Sequence, residues 1–82
     1  MSILSGLIDE KIEKVLTVFV HGKGELFHIN KVAKESGVPL ATTFRIINGL
    51  VSSGFLEIQK ISKFKIYKLA DNKKTRKLRD LL

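Results

Sequence analysis

The sequence predicts a mainly helical α+β fold, with three helices, a β-hairpin of two or three strands, and a possible short C-terminal helix. Apolar residues recur every three or four positions in 7–21 and again in 40–51, which is typical of helices with one buried face. Ala33 and Gly37 are four apart and precede Pro39, which predicts two helices joined by a tight turn. Two short runs rich in strand-forming residues follow Gly54. At 82 residues the chain is expected to form one domain with a thin core.

The first predicted helix runs from Leu7 to about His21. Its apolar stripe consists of Ile8, Ile12, Val15, Leu16 and Phe19. Four more apolar residues lie off that stripe, namely Leu4, Leu7, Val18 and Val20. A partner subunit is the simplest cover for them, so we expect a homodimer through helix 1, with the C-terminal segment as a second possible contact. Gly22 and Gly24 end the helix, and residues 25–28 could form a short strand.

The second predicted helix is capped by Asn30 and ends at Ser36. Gly37 then allows a positive φ in the turn, and Pro39 sets the start of helix 3. The predicted core face of helix 3 is Thr43, Ile46, Ile47, Leu50 and Val51. Gly49 interrupts this helix, and close packing against another helix would explain it.

Residues 55–60 and 64–69 are predicted to pair as a hairpin, with residues 61–63 as the loop. Alternation places Phe64 and Ile66 on one side of the second strand, where the C-terminal leucines or a second subunit could cover them. Asp71 or Asn72 could cap a last helix through Lys77. We therefore divide the chain into a domain of residues 1–70 and a basic C-terminal tail or short helix of residues 71–82.

The net charge of +7 is concentrated in the second half of the chain. Residues 1–35 hold five acidic and five basic residues, whereas residues 36–82 hold ten basic and three acidic ones. Nine of those ten lie between Lys60 and Arg79. This asymmetry favours a polyanionic partner, although a lysine-rich tail that is merely solvated would give the same composition.

Composition also argues against several classes of protein. There is no cysteine, and His21 and His28 have no zinc-site spacing, so no metal or cofactor is expected. No apolar run reaches the ~20 residues of a membrane span, and the start is unlike a secretory signal, which makes a cytoplasmic location the expectation. No phosphate loop or nucleophile elbow occurs, so we do not expect an enzyme.

The segment from Leu26 to Leu69 resembles the winged helix-turn-helix of bacterial and archaeal transcription regulators. The residues SGVPLATTFRIINGLVSSGFLE are most similar to the IclR type, and the ArsR type is next. The matching positions are Ala33, Gly37, Pro39, Thr42, Arg45, Leu50 and Gly54. The resemblance implies a protein that binds double-stranded DNA with helix 3 in the major groove and the hairpin as a wing. Full IclR-type proteins carry an effector-binding domain after the wing, whereas this sequence stops about a dozen residues past it. The resemblance therefore gives no reason to expect a small-molecule effector.

Helical spacing then selects the residues of helix 3 that could contact DNA. The candidates are Leu40, Ala41, Thr42, Phe44, Arg45 and Asn48. Arg45 could bind guanine or a phosphate, and Asn48 could pair with adenine. Thr42 could cap the helix or bind phosphate, and the three apolar residues could contact thymine methyl groups, although Phe44 could instead tuck under helix 2 or the wing.

In the hairpin, Lys60, Lys63 and Lys65 are the candidates for contact with the DNA backbone or minor groove. The expected function is a sequence-specific transcriptional regulator. Two alternatives remain. The apolar residues Leu40, Ala41 and Phe44 also suit a winged-helix module that binds protein, and the charge of residues 60–79 also suits a nonspecific architectural protein for DNA or RNA.

Overall fold

The structure, a computed structural model, describes residues 10–22 and 25–81. Its elements are α1 (Glu10–His21), α2 (Ile29–Ser36), α3 (Leu40–Ser52), β1 (Leu56–Ile61), β2 (Phe64–Leu69) and α4 (Lys73–Leu81). The three-helix core, the two-stranded antiparallel sheet and the C-terminal helix confirm the predicted fold class. No helix in these two described ranges is long and apolar enough to span a membrane.

The inner face of α1 forms the centre of the core. Val15, Leu16, Phe19 and Val20 are all buried there, and the Phe19 ring meets the edge of the Phe27 ring at 5.1 Å between centroids. Val20 was expected to need cover from a partner, but this chain buries it to 6% exposure. The predictions for Leu4, Leu7, the first turn of helix 1 and Gly24 lie outside the described residues.

The turn between α2 and α3 has the predicted geometry. Gly37 has φ +74°, and its N–H donates to the carbonyl of Ala33 at 3.0 Å. The Thr43 hydroxyl donates to the carbonyl of Val38 at 3.2 Å, which ties the first turn of α3 to the connecting loop. Backbone and side-chain hydrogen bonds therefore tie the end of α2 and the start of α3 to the turn between them.

The predicted cap of α2 is wrong. The helix begins at Ile29, one residue before Asn30, and the carbonyl of His28 accepts from the N–H groups of Lys31 and Val32 at 3.0 and 3.2 Å. The cause is a pairing distant in sequence: Phe27 forms an antiparallel bridge with Tyr67, with N–H···O distances of 2.7 and 2.8 Å. The chain leaves that bridge directly into the helix, so the strand proposed for residues 25–28 is a single bridge.

The hairpin is tighter than predicted. Ile61 pairs with Phe64, so the turn consists of Ser62 and Lys63 only, with Ser62 at φ +57°. Leu56 and Tyr67 face the core, whereas Phe64 keeps 49% of its surface exposed and touches only the edge of the His28 ring among the aromatic groups described. The described residues therefore leave half of the Phe64 side chain uncovered, and the predicted cover by Leu81 and Leu82 lies outside them.

Helix α4 extends past the predicted end at Lys77 and is part of the folded unit. Asn72 caps it, because its side-chain oxygen accepts from the N–H of Thr75 at 3.0 Å. The same side chain donates to the carbonyl of Gly54 at 2.8 Å, and Thr75 and Leu78 are buried. Asn72 thus joins the start of α4 to the turn after α3. The boundary at residue 70 stays a prediction, as does the placement of the Leu81 and Leu82 side chains, which lie outside the described part.

Candidate nucleic-acid interface

Helix α3 presents one face to solvent along its whole length. Its inner face is fixed by Thr43, Ile47 and Leu50, all of which are buried. The helical period places the DNA-contact candidates on the outer and flanking faces. Leu40 and Phe44 are 50% and 51% exposed, Ala41, Arg45 and Asn48 are exposed, and Thr42 is half-buried. The six residues therefore form one accessible strip along the helix, and their contact with DNA stays a prediction.

Arg45 and Asn48 are one turn apart on this strip and have no competing partner among the described residues. No carboxylate of the described residues lies within 4.0 Å of the Arg45 guanidinium. The Asn48 side-chain amide makes no hydrogen bond to any described residue. Both side chains can therefore meet a ligand without first breaking an intramolecular bond.

Two alternatives for this helix are resolved by its geometry. The residue preceding α3 is Pro39, and no side chain caps the helix, so Thr42 is not a cap. Phe44 is half exposed, so it does not tuck under α2 or the hairpin.

The hairpin tip carries like charges at close range. Lys60 pairs directly with Lys65 across the two strands, and Lys63 lies in the turn with its ammonium 5.9 Å from the centre of the Phe64 ring. None of the three has a carboxylate partner in the part of the chain that the structure describes, whereas Lys68, nearer the core, pairs with Glu57 at 3.8 Å. Opposed like charges destabilise a hairpin unless an anion lies between them.

Helix α4 adds a fixed set of charges. Lys73, Lys74, Arg76 and Lys77 are all exposed on it. Lys74 donates to the carbonyl of Ser53, the residue directly after α3, at 3.1 Å, and Arg76 pairs with Asp71 at 3.5 Å. These cations therefore belong to a folded helix that is attached to the end of α3.

Gly49 was expected to allow close helix packing, but none of the described helices packs closely against it. A Cβ built at Gly49 would meet no described atom within 4 Å. The residue lies instead in an open groove of ≈ 530 Å³ between α1 and α3. The groove is lined by Lys11, Ile12, Thr42, Arg45, Ile46, Gly49, Leu50 and Ser53. In the sequence, the only signal for this groove was a glycine inside a predicted helix.

The two histidines form no site. His21 and His28 are both exposed. Within residues 10–22 and 25–81, no group of three His, Cys, Asp or Glu side chains is arranged to hold a metal ion.

Comparison with known proteins identifies the family. The IclR helix-turn-helix domain model matches residues 10–59, more than half of the chain. The sequence matches no curated protein to a significant degree.

Solved structures of similar fold include three informative ones. TubR from Bacillus thuringiensis serovar israelensis pBtoxis, determined bound to 24 bp of tubC, has a TM-score of 0.70 at 25% identity over 77% of this chain and 70% of its own. AF1382 from Archaeoglobus fulgidus has a TM-score of 0.77 at 22% identity over 94% and 85% of the two chains. The MarR family transcriptional regulator SPO1453 from Silicibacter pomeroyi has a TM-score of 0.75 at 19% identity over 95% of this chain and 54% of its own.

The sequence match covers the three helices α1 to α3 and the first four residues of β1. The helices, the two-stranded sheet and the C-terminal helix match the fold of the similar solved structures. The chain belongs to the IclR helix-turn-helix domain family and is a DNA-binding transcriptional regulator of the winged-helix class.

Proposed function

We propose that this protein binds specific sites in double-stranded DNA by placing α3 in the major groove and the hairpin tip on the phosphate backbone or in the adjacent minor groove. One observation carries the proposal: the accessible strip of α3 holds Arg45 and Asn48, neither of which has a partner in the described residues. Arginine and asparagine are the side chains that recognise guanine and adenine through paired hydrogen bonds.

The hairpin contributes binding that does not depend on sequence. Phosphates between Lys60 and Lys65 would relieve the repulsion of their ammonium groups and release counterions from the DNA. TubR, which has a similar fold at 25% identity, was determined in complex with DNA, and this supports a DNA-bound role for the same fold here.

We also propose that the protein acts as a homodimer, because one recognition helix reads only a few base pairs and a twofold pair would read a pseudo-palindrome. The half-buried Ile12 and Val18 on α1 offer apolar surface for such a contact. A monomeric mass in sedimentation at micromolar concentration would refute it. A role on DNA also favours a cytoplasmic location, and neither this role nor the family calls for catalysis.

A second function is favoured by a different observation. Leu40 and Phe44 are four residues apart on α3 and each exposes half of its surface, which also suits the groove of a protein partner. In that case α3 would bind protein within a transcription complex. A nonspecific architectural role would depend on the charges of the hairpin and α4 instead of Arg45.

The test is fluorescence anisotropy of labelled duplex DNA titrated with wild-type protein, Arg45→Ala and Lys14→Ala at several salt concentrations. Lys14→Ala is the matched control, because it removes the same charge from α1, where Lys14 pairs with Glu10 at 3.7 Å. We expect Arg45→Ala to weaken binding by about 1 to 3 kcal/mol, and Lys14→Ala to have a much smaller effect.

An equal loss of DNA affinity in Arg45→Ala and Lys14→Ala would mean that binding depends only on net charge, which would support the architectural role. Absence of binding at low salt would move the protein to the interaction-module class.

A further inference from the structure

We propose that Ile61 and Phe64, the last two paired residues of the hairpin, form an apolar wedge that enters the minor groove of duplex DNA and partly unstacks a base step. This inference rests on the proposed function, because it requires a hairpin tip that lies on DNA. It goes beyond that function, because it gives the tip a preference among DNA sequences, which lysines on phosphates do not supply.

The tight turn of the hairpin brings the two apolar side chains together. Ile61 pairs directly with Phe64, and only Ser62 and Lys63 connect them. Ser62 has φ +57°, a conformation that residues with a Cβ adopt only at a cost, and it allows the strands to pair up to their last residue. The apolar pair therefore lies at the end of the hairpin, opposite the end where Leu56 is buried in the core.

The apolar pair is accessible to a partner. Ile61 and Phe64 each keep about half of their surface exposed, 46% and 49%. The edge of the His28 ring meets the Phe64 ring with 5.7 Å between centroids, so the ring is supported on one side without being enclosed. A side chain that is already supported loses less freedom when it is buried against a ligand.

The charges around the apolar pair select the kind of partner. Alternation places Lys60 and Lys65 on the opposite face of the hairpin, and the Lys63 ammonium lies 5.9 Å from the centre of the Phe64 ring. None of the three lysines has a carboxylate partner in the described ranges. An apolar pair among such cations matches a ligand whose anionic and apolar surfaces adjoin. The minor groove has both, because rows of phosphates border the stacked bases.

Insertion of such side chains gives sequence preference through deformation of the DNA. Phenylalanine and isoleucine are among the residues that proteins insert between base pairs from the minor groove, which unstacks the step and bends the duplex. The cost depends on the step, and flexible pyrimidine–purine steps deform most easily. The guanine amino group projects into the minor groove. We therefore expect the tip to prefer flexible steps that lack guanine.

The first test compares two labelled duplexes, one of alternating inosine and cytosine and one of alternating guanine and cytosine. They present the same major-groove edges, but inosine lacks the minor-groove amino group. In fluorescence anisotropy, we expect the wild-type chain to bind the inosine duplex roughly three- to tenfold more tightly than the guanine duplex. Phe64→Ala should weaken binding to the inosine duplex and bring the ratio of the two affinities close to one.

Two further variants control for loss of apolar surface and for folding. Ile58→Ala is matched to Ile61→Ala, because Ile58 is on the same strand and is 41% exposed but lies on the opposite face, farther from the tip. Ile61→Ala should lower the ratio, and Ile58→Ala should retain it. Phe64→Leu keeps an apolar group and should retain most of the preference. All four variants should melt close to the wild type, because the side chains are exposed.

A second measurement reports the wedge itself. A wedge that opens a base step also untwists the duplex. A closed plasmid that topoisomerase relaxes while the protein is bound should therefore carry negative supercoils once the protein is removed. At equal occupancy, we expect the wild type and Ile58→Ala to change the linking number, and Phe64→Ala to change it much less.

An affinity ratio that Phe64→Ala leaves unchanged would overturn the wedge, as would equal effects of Ile58→Ala and Ile61→Ala, or supercoiling by Phe64→Ala that equals the wild type. Any of these results together with weakened DNA binding in Arg45→Ala would leave the proposed function intact. If the wild type binds neither these duplexes nor mixed-sequence DNA at low salt, the proposed function and the wedge are both refuted. If Phe64→Ala binds DNA as the wild type does but has a lower mass in sedimentation, the apolar pair is a contact between copies instead.

Discussion

Two glycines, one in the turn after α2 and one inside α3, illustrate how single residues affect this fold. Gly37 has φ +74°, which a residue with a Cβ adopts only at a cost, and it closes the turn between α2 and α3. Gly49 has no such requirement, and the space around its missing Cβ is open in the described structure. The same residue type is therefore necessary at one position and dispensable for folding at the other.

We predict that alanine at these two positions changes stability in opposite directions. Gly37→Ala should lower the free energy of unfolding by about 1 to 2 kcal/mol through left-handed strain. Gly49→Ala should raise it by up to about 1 kcal/mol through helix propensity. Urea denaturation followed by circular dichroism measures both, and a loss of stability in Gly49→Ala would show that unseen packing requires the glycine.

The sequence predicted the exposure of Arg45 and Asn48 correctly, because periodicity alone separates the two faces of an amphipathic helix once the core positions are assigned. The prediction of close packing at Gly49 failed, because spacing along one helix does not show whether another helix fills the space opposite. Asn72 was one of the two caps proposed for α4, and it could be predicted because a helix cap depends on neighbouring residues. The cap predicted at Asn30 was wrong, because the Phe27–Tyr67 bridge, which joins residues distant in sequence, starts α2 one residue earlier.

At the scale of an element, the hairpin combines a stable base with a repulsive tip. Near the core, Glu57 and Lys68 are directly paired and their charges attract. Near the turn, Lys60 and Lys65 are directly paired and their charges repel. This pattern is expected of an element whose tip is stabilised by an external anion.

We predict that Lys60→Gln separates stability from binding. The free energy of unfolding should rise by up to about 0.5 kcal/mol, because the repulsion is removed. The salt slope of DNA binding should fall by about 1, because one phosphate contact is lost. Lys68→Gln is the control: it should leave the slope unchanged, and a slope that falls equally in both variants would count against a contact at the tip.

The start of α4 is a second element on which the interface depends. The Asn72 side chain caps α4 and also bonds the carbonyl of Gly54 in the turn after α3. We predict that Asn72→Ala lowers the free energy of unfolding by about 1 to 2 kcal/mol, because it removes the cap and leaves that carbonyl unpaired.

Asp71→Ala is the matched control for this prediction. Asp71 is the neighbouring residue, and its one side-chain contact among the described residues is an exposed ion pair with Arg76, so its loss should cost less than about 0.5 kcal/mol. If the two variants unfolded at the same urea concentration, Asn72 would not be holding the helix in place.

At the scale of the whole molecule, charge is balanced on one side and unbalanced on the other. On α1 and the start of α2, Lys14 and Lys31 pair with Glu10 and Glu25. On α3 and at the hairpin tip, the cations have no such partner in the described residues, and α4 extends the positive region. The elements of the second half thus carry charge suited to a polyanion, which could be inferred from the sequence because the whole net charge lies after residue 35.

The measurement that tests this account most directly is the set of amide chemical-shift changes on adding duplex DNA to the full chain. We expect changes concentrated at residues 40–48 of α3 and 60–65 of the hairpin, with Glu13 and Val18, which line a groove rich in carboxylates beside α1, unaffected. Changes confined to α1 or α4, with α3 silent, would contradict it.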